Sequence, residues 1–131
     1  AERAGVDPIF IAPAQAAEST LEGVAAHSRG YIYAISRDGV TGTERESSVT
    51  GLAEVVENVK RFGGPPILLG FGISSPQHVA DAIAAGASGA ISGSAITKIM
   101  DKYIDGNTVT DMPGLKAELG EFVSAMKAAT R

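Results

Sequence analysis

Four short apolar runs alternate with helical patterns along this chain, and this alternation constrains the fold more than any other feature. The runs predict strands at residues 9–12, 31–35, 67–70 and 89–92, and each is followed by a helical pattern. Strands that are apolar on both faces and alternate with helices are typical of a parallel sheet covered by helices. The sequence therefore predicts an α/β fold of four βα units.

Caps and apolar spacing place the first three helices. Ser19 and Glu22 have the spacing of a capping box, so the first helix is expected to begin near residue 19. Ser75 followed by Pro76 predicts the start of the third helix. The second helix is predicted from four apolar residues at helical spacing: Leu52, Val55, Val56 and Val59.

Two further helices are predicted after the fourth strand. A short one runs to about Tyr103 and is ended by residues 105–107. A longer one, from residue 114 to about 130, is expected to bury five side chains: Leu115, Leu119, Phe122, Val123 and Met126. Residues 1–4 are predicted to be the last turn of a helix that ends at Gly5, and because the chain begins with Ala1 we expect it to belong to a longer protein.

Glycine-rich segments close the third and fourth strands, at residues 70–74 and 91–96. Glycine lets the backbone approach a ligand closely, and a helix that starts there directs free N–H groups to the same place. Two such segments on neighbouring parallel strands predict a phosphate site of the kind found in (β/α)8 barrels. Four βα units and a short extra helix would be half of such a barrel, whereas an open doubly wound sheet is the competing architecture.

Composition excludes several classes of function. The net charge is −4 without any basic block, and there are only four Phe and three Tyr residues, so nucleic acid is not expected as a partner. No apolar run is long enough to span a membrane, and the absence of cysteine is compatible with the cytoplasm. His27 and His78 lack companions at metal-ligand spacing, so no metal site is expected.

Several motifs, in order along the chain, resemble those of the tryptophan synthase alpha subunit family. The most specific are Ser-Arg-Asp-Gly-Val-Thr-Gly at residues 36–42 and Gly-Phe-Gly-Ile-Ser at residues 70–74. Further matching stretches lie at residues 8–11, 29–33, 86–87, 89–96 and 126–130. The resemblance implies that residues 1–131 form one segment, the C-terminal half of a (β/α)8 barrel with strands 5–8 and the short phosphate-site helix.

The resemblance also implies an activity. The family cleaves indole-3-glycerol phosphate to indole and glyceraldehyde 3-phosphate in tryptophan biosynthesis, and passes indole to a beta subunit that carries pyridoxal phosphate. The alpha subunit needs no cofactor or metal, so none is expected here. Its catalytic Glu and Asp lie in the N-terminal half, which implies no catalytic residue in this segment and no turnover by the segment alone.

Site residues follow from the same resemblance. Phosphate ligands are expected at Gly42, Gly72, Gly93 and Ser94. Arg37 and Thr41 are expected on a mobile loop that closes over the substrate. The substrate pocket is expected to include Tyr33, Phe71 and Ile11. The simpler interpretations are turn glycines with a serine N-cap, a solvated loop, and ordinary core packing.

Two other functions stay open at this point. The chain could be a half-barrel module that binds phosphorylated ligands without chemistry. It could also belong to another phosphate-binding barrel of aromatic amino-acid or histidine biosynthesis, although the motif at residues 36–42 argues against that.

Overall fold

A computed structural model of the chain describes residues 2–35 and 51–131. Its sheet strands are β1 (Ile11–Pro13), β2 (Ile32–Ile35), β3 (Ile67–Leu69) and β4 (Gly89–Ala90), and a separate pair is formed by β5 (Ile104–Asp105) and β6 (Thr108–Val109). The helices are α1 (Glu18–His27), α2 (Leu52–Arg61), α3 (Pro76–Ala84), α4 (Ser94–Asp101) and α5 (Met112–Ala128), with a 3-10 turn at Glu2–Ala4.

The main sheet is parallel, and its strands follow one another in chain order, β1-β2-β3-β4. A doubly wound sheet reverses its strand order at a switch point. Sequential order is what a (β/α)8 barrel requires. The predicted half barrel is therefore the observed architecture.

One face of the sheet packs against the helices. Alternate strand residues such as Ala12, Ile32 and Leu69 are fully buried there. All four apolar residues predicted for α2 are buried in the same core, and α1 packs beside α2. Met126 brings α5 into this core over α3.

The opposite face carries a row of residues, one from each strand: Ile11, Tyr33, Leu68 and Gly89. Ile11 is 56% exposed at one end of the row, and Tyr33 and Leu68 are half-buried. In a closed barrel this face points to the interior. The strand ends of this face therefore lie where a barrel places its active site.

Sequence analysis predicted the start of α1 to within one residue but was wrong about its cap. The helix begins at Glu18 after Ala17, which makes no side-chain cap, so Ser19 lies inside the helix and the predicted capping box does not form. The Ala17 carbonyl accepts hydrogen bonds from the amides of Thr20 and Leu21, which closes the first turn ahead of Ser19. A helix that begins at Glu18 directs the Leu21 side chain into the core, where it is buried.

The predicted strands were also too long. β1 begins at Ile11 rather than at residue 9, β2 begins at Ile32, β3 ends at Leu69, and β4 spans only Gly89–Ala90. Ile9 and Phe10 are both exposed. The apolar runs in the sequence are thus longer than the strands, because only some of their residues are paired in the parallel sheet.

The segment after α4 differs from the predicted helix break. Ile104–Asp105 and Thr108–Val109 form an antiparallel hairpin, and Gly106 at its tip has φ +57°. Tyr103 lies beyond the end of α4, which is Asp101. The glycine-asparagine pair between Asp105 and Thr108 is a hairpin signal that helix periodicity obscured.

Helix α5 begins earlier than predicted, at Met112, because the Asp111 side chain accepts a hydrogen bond from the Gly114 amide. Leu115 and Met126 are buried as predicted, and Leu119 and Phe122 are half-buried. The prediction for Val123 was wrong, since it is 52% exposed. One position along a helix turns a side chain by about 100°, which moves Val123 off the stripe that contains Phe122.

Ser28 offers a first stability test. It follows α1 and is 2% exposed, and within the described residues its hydroxyl has no hydrogen-bond partner. Because a buried unpaired hydroxyl costs about 1–3 kcal/mol, Ser28→Ala is expected to leave stability unchanged or raise it by about 1 kcal/mol. Urea unfolding measures this, with the exposed Ser88→Ala as the control. A clear loss of stability in Ser28→Ala alone would show that the hydroxyl is bonded.

Glu118 on α5 links this helix to the end of α4. Its carboxylate pairs with Lys102 and accepts a hydrogen bond from the Tyr103 hydroxyl at 2.8 Å. Hydrogen bonds from Lys102 and then Tyr103 lower the pKa of Glu118. A lowered pKa contributes stability above the ordinary glutamate value of about 4.3, and this contribution is lost as pH falls through the lowered value.

The stability advantage of wild type over Glu118→Gln is therefore expected to shrink below about pH 4. Unfolding measured by denaturant between pH 3 and 7 gives this difference directly. Glu121→Gln, on the exposed side of the same helix, is the matched control. A difference that stays constant across this range would contradict the assigned contact.

Candidate functional site

The two glycine-rich strand ends meet at one hydrogen bond. The Ser92 hydroxyl, just after β4, donates to the Ile73 carbonyl in the segment that follows β3, at 2.7 Å. The last ladder bond between these strands joins the Ile91 amide to the Leu69 carbonyl at 2.8 Å. The two segments therefore leave the sheet side by side, as the sequence predicted.

Three backbone amides in these segments are available to a ligand. In the part of the chain that the structure describes, nothing accepts a hydrogen bond from the amides of Gly72, Gly93 or Ser94. All three residues are exposed, and Gly72 has φ +75°, a conformation that glycine favours. Free amides near a helix N-terminus are suited to an anion.

The start of α4 distinguishes the two interpretations of Ser94. The helix N-cap is Gly93, whose carbonyl accepts hydrogen bonds from the amides of Ile96 and Thr97. Ser94 is the first helical residue, so the interpretation of Ser94 as an ordinary N-cap is wrong. Its hydroxyl has no partner among the described residues.

Tyr33 contacts the first glycine segment. Its hydroxyl donates to the Gly70 carbonyl at 2.6 Å, and its ring lies against the glycine itself. A Cβ atom on Gly70 would lie 2.2 Å from two ring carbons of Tyr33. Glycine is required here to let the aromatic ring approach, and the contact directs Tyr33 to the same end of the sheet as Gly72.

The other predicted pocket residues lie on the open sheet face or near it. Ile11 is aligned with Tyr33 across β1 and β2 and is exposed on the open face of the half barrel. Phe71 is half-buried between Gly70 and Gly72. Contact of these side chains with a substrate stays a prediction. Arg37, Thr41 and Gly42 lie outside the described residues, and their roles also stay predictions.

Sequence reasoning missed the side chains that hold the glycine segments in place. The Ser74 amide donates to Nδ1 of His78 at 3.3 Å, in addition to the bond between Ser92 and Ile73. His78 was not expected to bind a metal, and no contact between it and the glycine segments was predicted. A polar residue at the end of the predicted fourth strand was the available signal for Ser92.

Two features are absent from the described ranges. Residues 2–35 and 51–131 contain no group of three His, Asp or Glu side chains arranged to hold a metal ion. No helix in the same ranges has the length and apolar character needed to cross a membrane.

Comparison with known proteins decides the family. The profile of the family described as tryptophan synthase alpha chain matches residues 1–130. This chain belongs to the tryptophan synthase alpha chain family. The tryptophan synthase alpha chain of Corynebacterium efficiens is 74% identical over all of this chain and 49% of its own length. That of Haemophilus influenzae is 47% identical over all of this chain and 47% of its own length.

Solved structures agree with the fold of the family. A tryptophan synthase from M. tuberculosis has a TM-score of 0.70 and 25% identity, over 99% of this chain and 42% of that one. A tryptophan synthase a2b2 complex from Pyrococcus furiosus has a TM-score of 0.73 and 24% identity, over 97% of this chain and 48% of that one. The chain thus spans about half the length of the tryptophan synthase alpha chains it matches.

Proposed function

We propose that this chain supplies the phosphate-binding half of a tryptophan synthase alpha barrel. Joined to the other half, it would cleave indole-3-glycerol phosphate to indole and glyceraldehyde 3-phosphate. The observation that carries the proposal is the meeting of the two glycine segments through Ser92 and Ile73, with the amides of Gly72, Gly93 and Ser94 left free beside it. Family membership supports the reaction.

The phosphate would be held mainly by backbone amides. Gly72 and Gly93 would each donate one N–H group, and Ser94 would add its amide and hydroxyl at the start of α4. The positive end of the α4 dipole favours the same negative charge. Gly42, on the proposed closing loop with Arg37 and Thr41, would complete the site once substrate is bound.

Acid–base chemistry would come from the other half of the barrel. At the described strand ends, Pro13 ends β1, Ile35 ends β2, and Gly70 and Ile91 follow β3 and β4. None of these residues has a side chain that can transfer a proton. General acid–base catalysis needs a titratable group within hydrogen-bond reach of the reacting atoms. This chain would therefore bind and orient substrate. We also propose, as the family resemblance implies, that it holds no cofactor of its own.

A beta subunit is the proposed partner. The Pyrococcus furiosus relative in this fold class was solved as an a2b2 complex, which supports an equivalent assembly here. Pyridoxal phosphate would belong to that partner, and a cytoplasmic location would suit such a biosynthetic enzyme.

An indole-release assay tests the proposal. We would assay indole-3-glycerol phosphate with this chain alone, with the unmatched half of the Corynebacterium efficiens protein alone, and with both. Activity only in the mixture would support the proposal. Activity of the chain alone would show that its own residues perform the chemistry. Association of the halves without turnover, together with binding of glycerol 3-phosphate, would favour the non-catalytic binding module.

A further inference from the structure

We infer that Ser92 is a positioning residue that holds the phosphate-binding amides in their binding geometry without itself touching the phosphate. The inference rests on the proposed function of the two glycine segments. The contact that carries it is the 2.7 Å hydrogen bond from the Ser92 hydroxyl to the Ile73 carbonyl, which spans 19 residues of the chain.

Ser92 is not placed as a phosphate ligand because its only hydroxyl proton is already used. A serine hydroxyl donates one hydrogen bond and otherwise accepts. The Ile73 carbonyl takes that donation, and a phosphate monoester needs donors rather than acceptors. Ser94, two residues later, has a hydroxyl without a partner among the described residues and is the serine left to donate to a ligand.

The peptide group between Ile73 and Ser74 is fixed at both of its ends. Ser92 holds its carbonyl oxygen, and Nδ1 of His78 accepts from its N–H at 3.3 Å. The Ile73 side chain is 3% exposed and is anchored in the core. Together these contacts fix the orientation of the peptide that follows Ile73, one residue beyond Gly72.

Fixing this peptide matters because Gly72, which precedes Ile73, is the most adaptable residue of the segment. Gly72 has no Cβ atom and a positive φ, so the peptides beside it can rotate at little steric cost. Without Ser92 only the His78 contact would restrain this peptide, so the Ile73 carbonyl would be able to turn toward the open side of the site, where its oxygen would repel a phosphate. The Tyr33 hydroxyl holds the Gly70 carbonyl in the same way at the other end of the segment.

The test uses a complete barrel, made by fusing the unmatched half of the Corynebacterium efficiens protein to this chain. Calorimetry would measure the affinity of this barrel for glycerol 3-phosphate. Its affinity for indole, a ligand without phosphate, would serve as the control. Ser92→Ala is expected to lower the affinity for glycerol 3-phosphate about fivefold to tenfold, which is the effect of losing one neutral hydrogen bond. The affinity for indole is expected to change less than about twofold. Ser92→Thr keeps the hydroxyl and is expected to restore most of the affinity.

Two results would overturn the inference: unchanged glycerol 3-phosphate affinity in Ser92→Ala, or an equal loss for both ligands. If Ser92→Ala does not fold, Ser92→Cys and Ser92→Thr decide, because a thiol is a weak donor. Weaker phosphate-ester binding in the cysteine variant supports the inference, and equal binding overturns it.

Amide hydrogen exchange separates this inference from the proposed function. Ser92→Ala is expected to speed exchange of the Ser74 amide whether or not a ligand binds, since its peptide is then held only by His78. Unchanged exchange there would overturn the inference. Failure of the wild-type barrel to bind glycerol 3-phosphate would instead overturn the proposed function.

Discussion

Gly70→Ala is expected to destabilise the chain by about 2–3 kcal/mol, the upper part of the range for overpacking a well-packed site. The new methyl group would lie 2.2 Å from ring carbons of Tyr33 and 2.4 Å from its hydroxyl oxygen. These are atoms of a rigid ring, and the ring is held in place by its hydrogen bond to the Gly70 carbonyl. The clash can be relieved only by moving Tyr33 or the β3 strand end.

A double-mutant cycle isolates that clash. Tyr33→Ala alone removes a half-buried ring and the donor to Gly70, so it is destabilising by itself. In the double variant the methyl group has room. The loss of unfolding free energy in the double variant is therefore expected to be smaller than the sum of the losses in the two single variants by about 1–3 kcal/mol, as is typical of residues in contact. Urea unfolding of the four proteins gives this coupling energy.

Two controls make the cycle specific. Tyr33→Phe keeps the ring, so Gly70→Ala should remain costly in that background. Gly120→Ala, in α5, has nothing within 4 Å of the added Cβ and is expected to raise stability by up to about 1 kcal/mol because alanine is the better helix former. Strictly additive effects of Gly70→Ala and Tyr33→Ala would contradict the observed packing.

What the sequence predicted well is local in origin. The stripe from Leu52 to Val59 is set by the helical period, and all four of its apolar residues are buried. The Ser75 cap followed by Pro76 fixes the start of α3 through one short-range hydrogen bond, from the His78 amide to the Ser75 hydroxyl. Patterns of this kind depend on neighbours in sequence and can be read without knowing the fold.

The features that the sequence did not predict are of two kinds. Some depend on residues distant in sequence, and others depend on which of several neighbouring residues starts a helix. The Ser19–Glu22 pattern satisfies the capping-box rule, yet packing of Leu21 and closure on the Ala17 carbonyl move the helix start. The bond between Ser92 and Ile73 joins two βα units and has no local pattern. The glycine segments could be predicted because glycines at the end of an apolar run form a local sequence pattern. The contact that joins the two segments has no such pattern.

Gly93→Val is expected to reduce the affinity for glycerol 3-phosphate by about a hundredfold or more while leaving the fold intact. Loss of binding is expected because the isopropyl group would occupy the space in front of the free amides, and each hydrogen bond lost to a charged group weakens binding by about 1.5–3 kcal/mol. The fold should persist because Gly93 has φ −120° and nothing lies within 4 Å of an added Cβ. Loss of glycine at the N-cap is expected to cost about 1 kcal/mol of stability at most.

Calorimetry on the fused barrel measures this effect, and Gly93→Ala provides the graded comparison. Alanine at this position adds one methyl group, so its affinity should fall between those of wild type and Gly93→Val. Indole, which has no phosphate, should bind all three proteins alike. A folded Gly93→Val protein with wild-type affinity for glycerol 3-phosphate would remove Gly93 from the site. The open space beside it would then have no role in binding, and the phosphate would have to be held by the other proposed ligands: Gly42, Gly72 and Ser94.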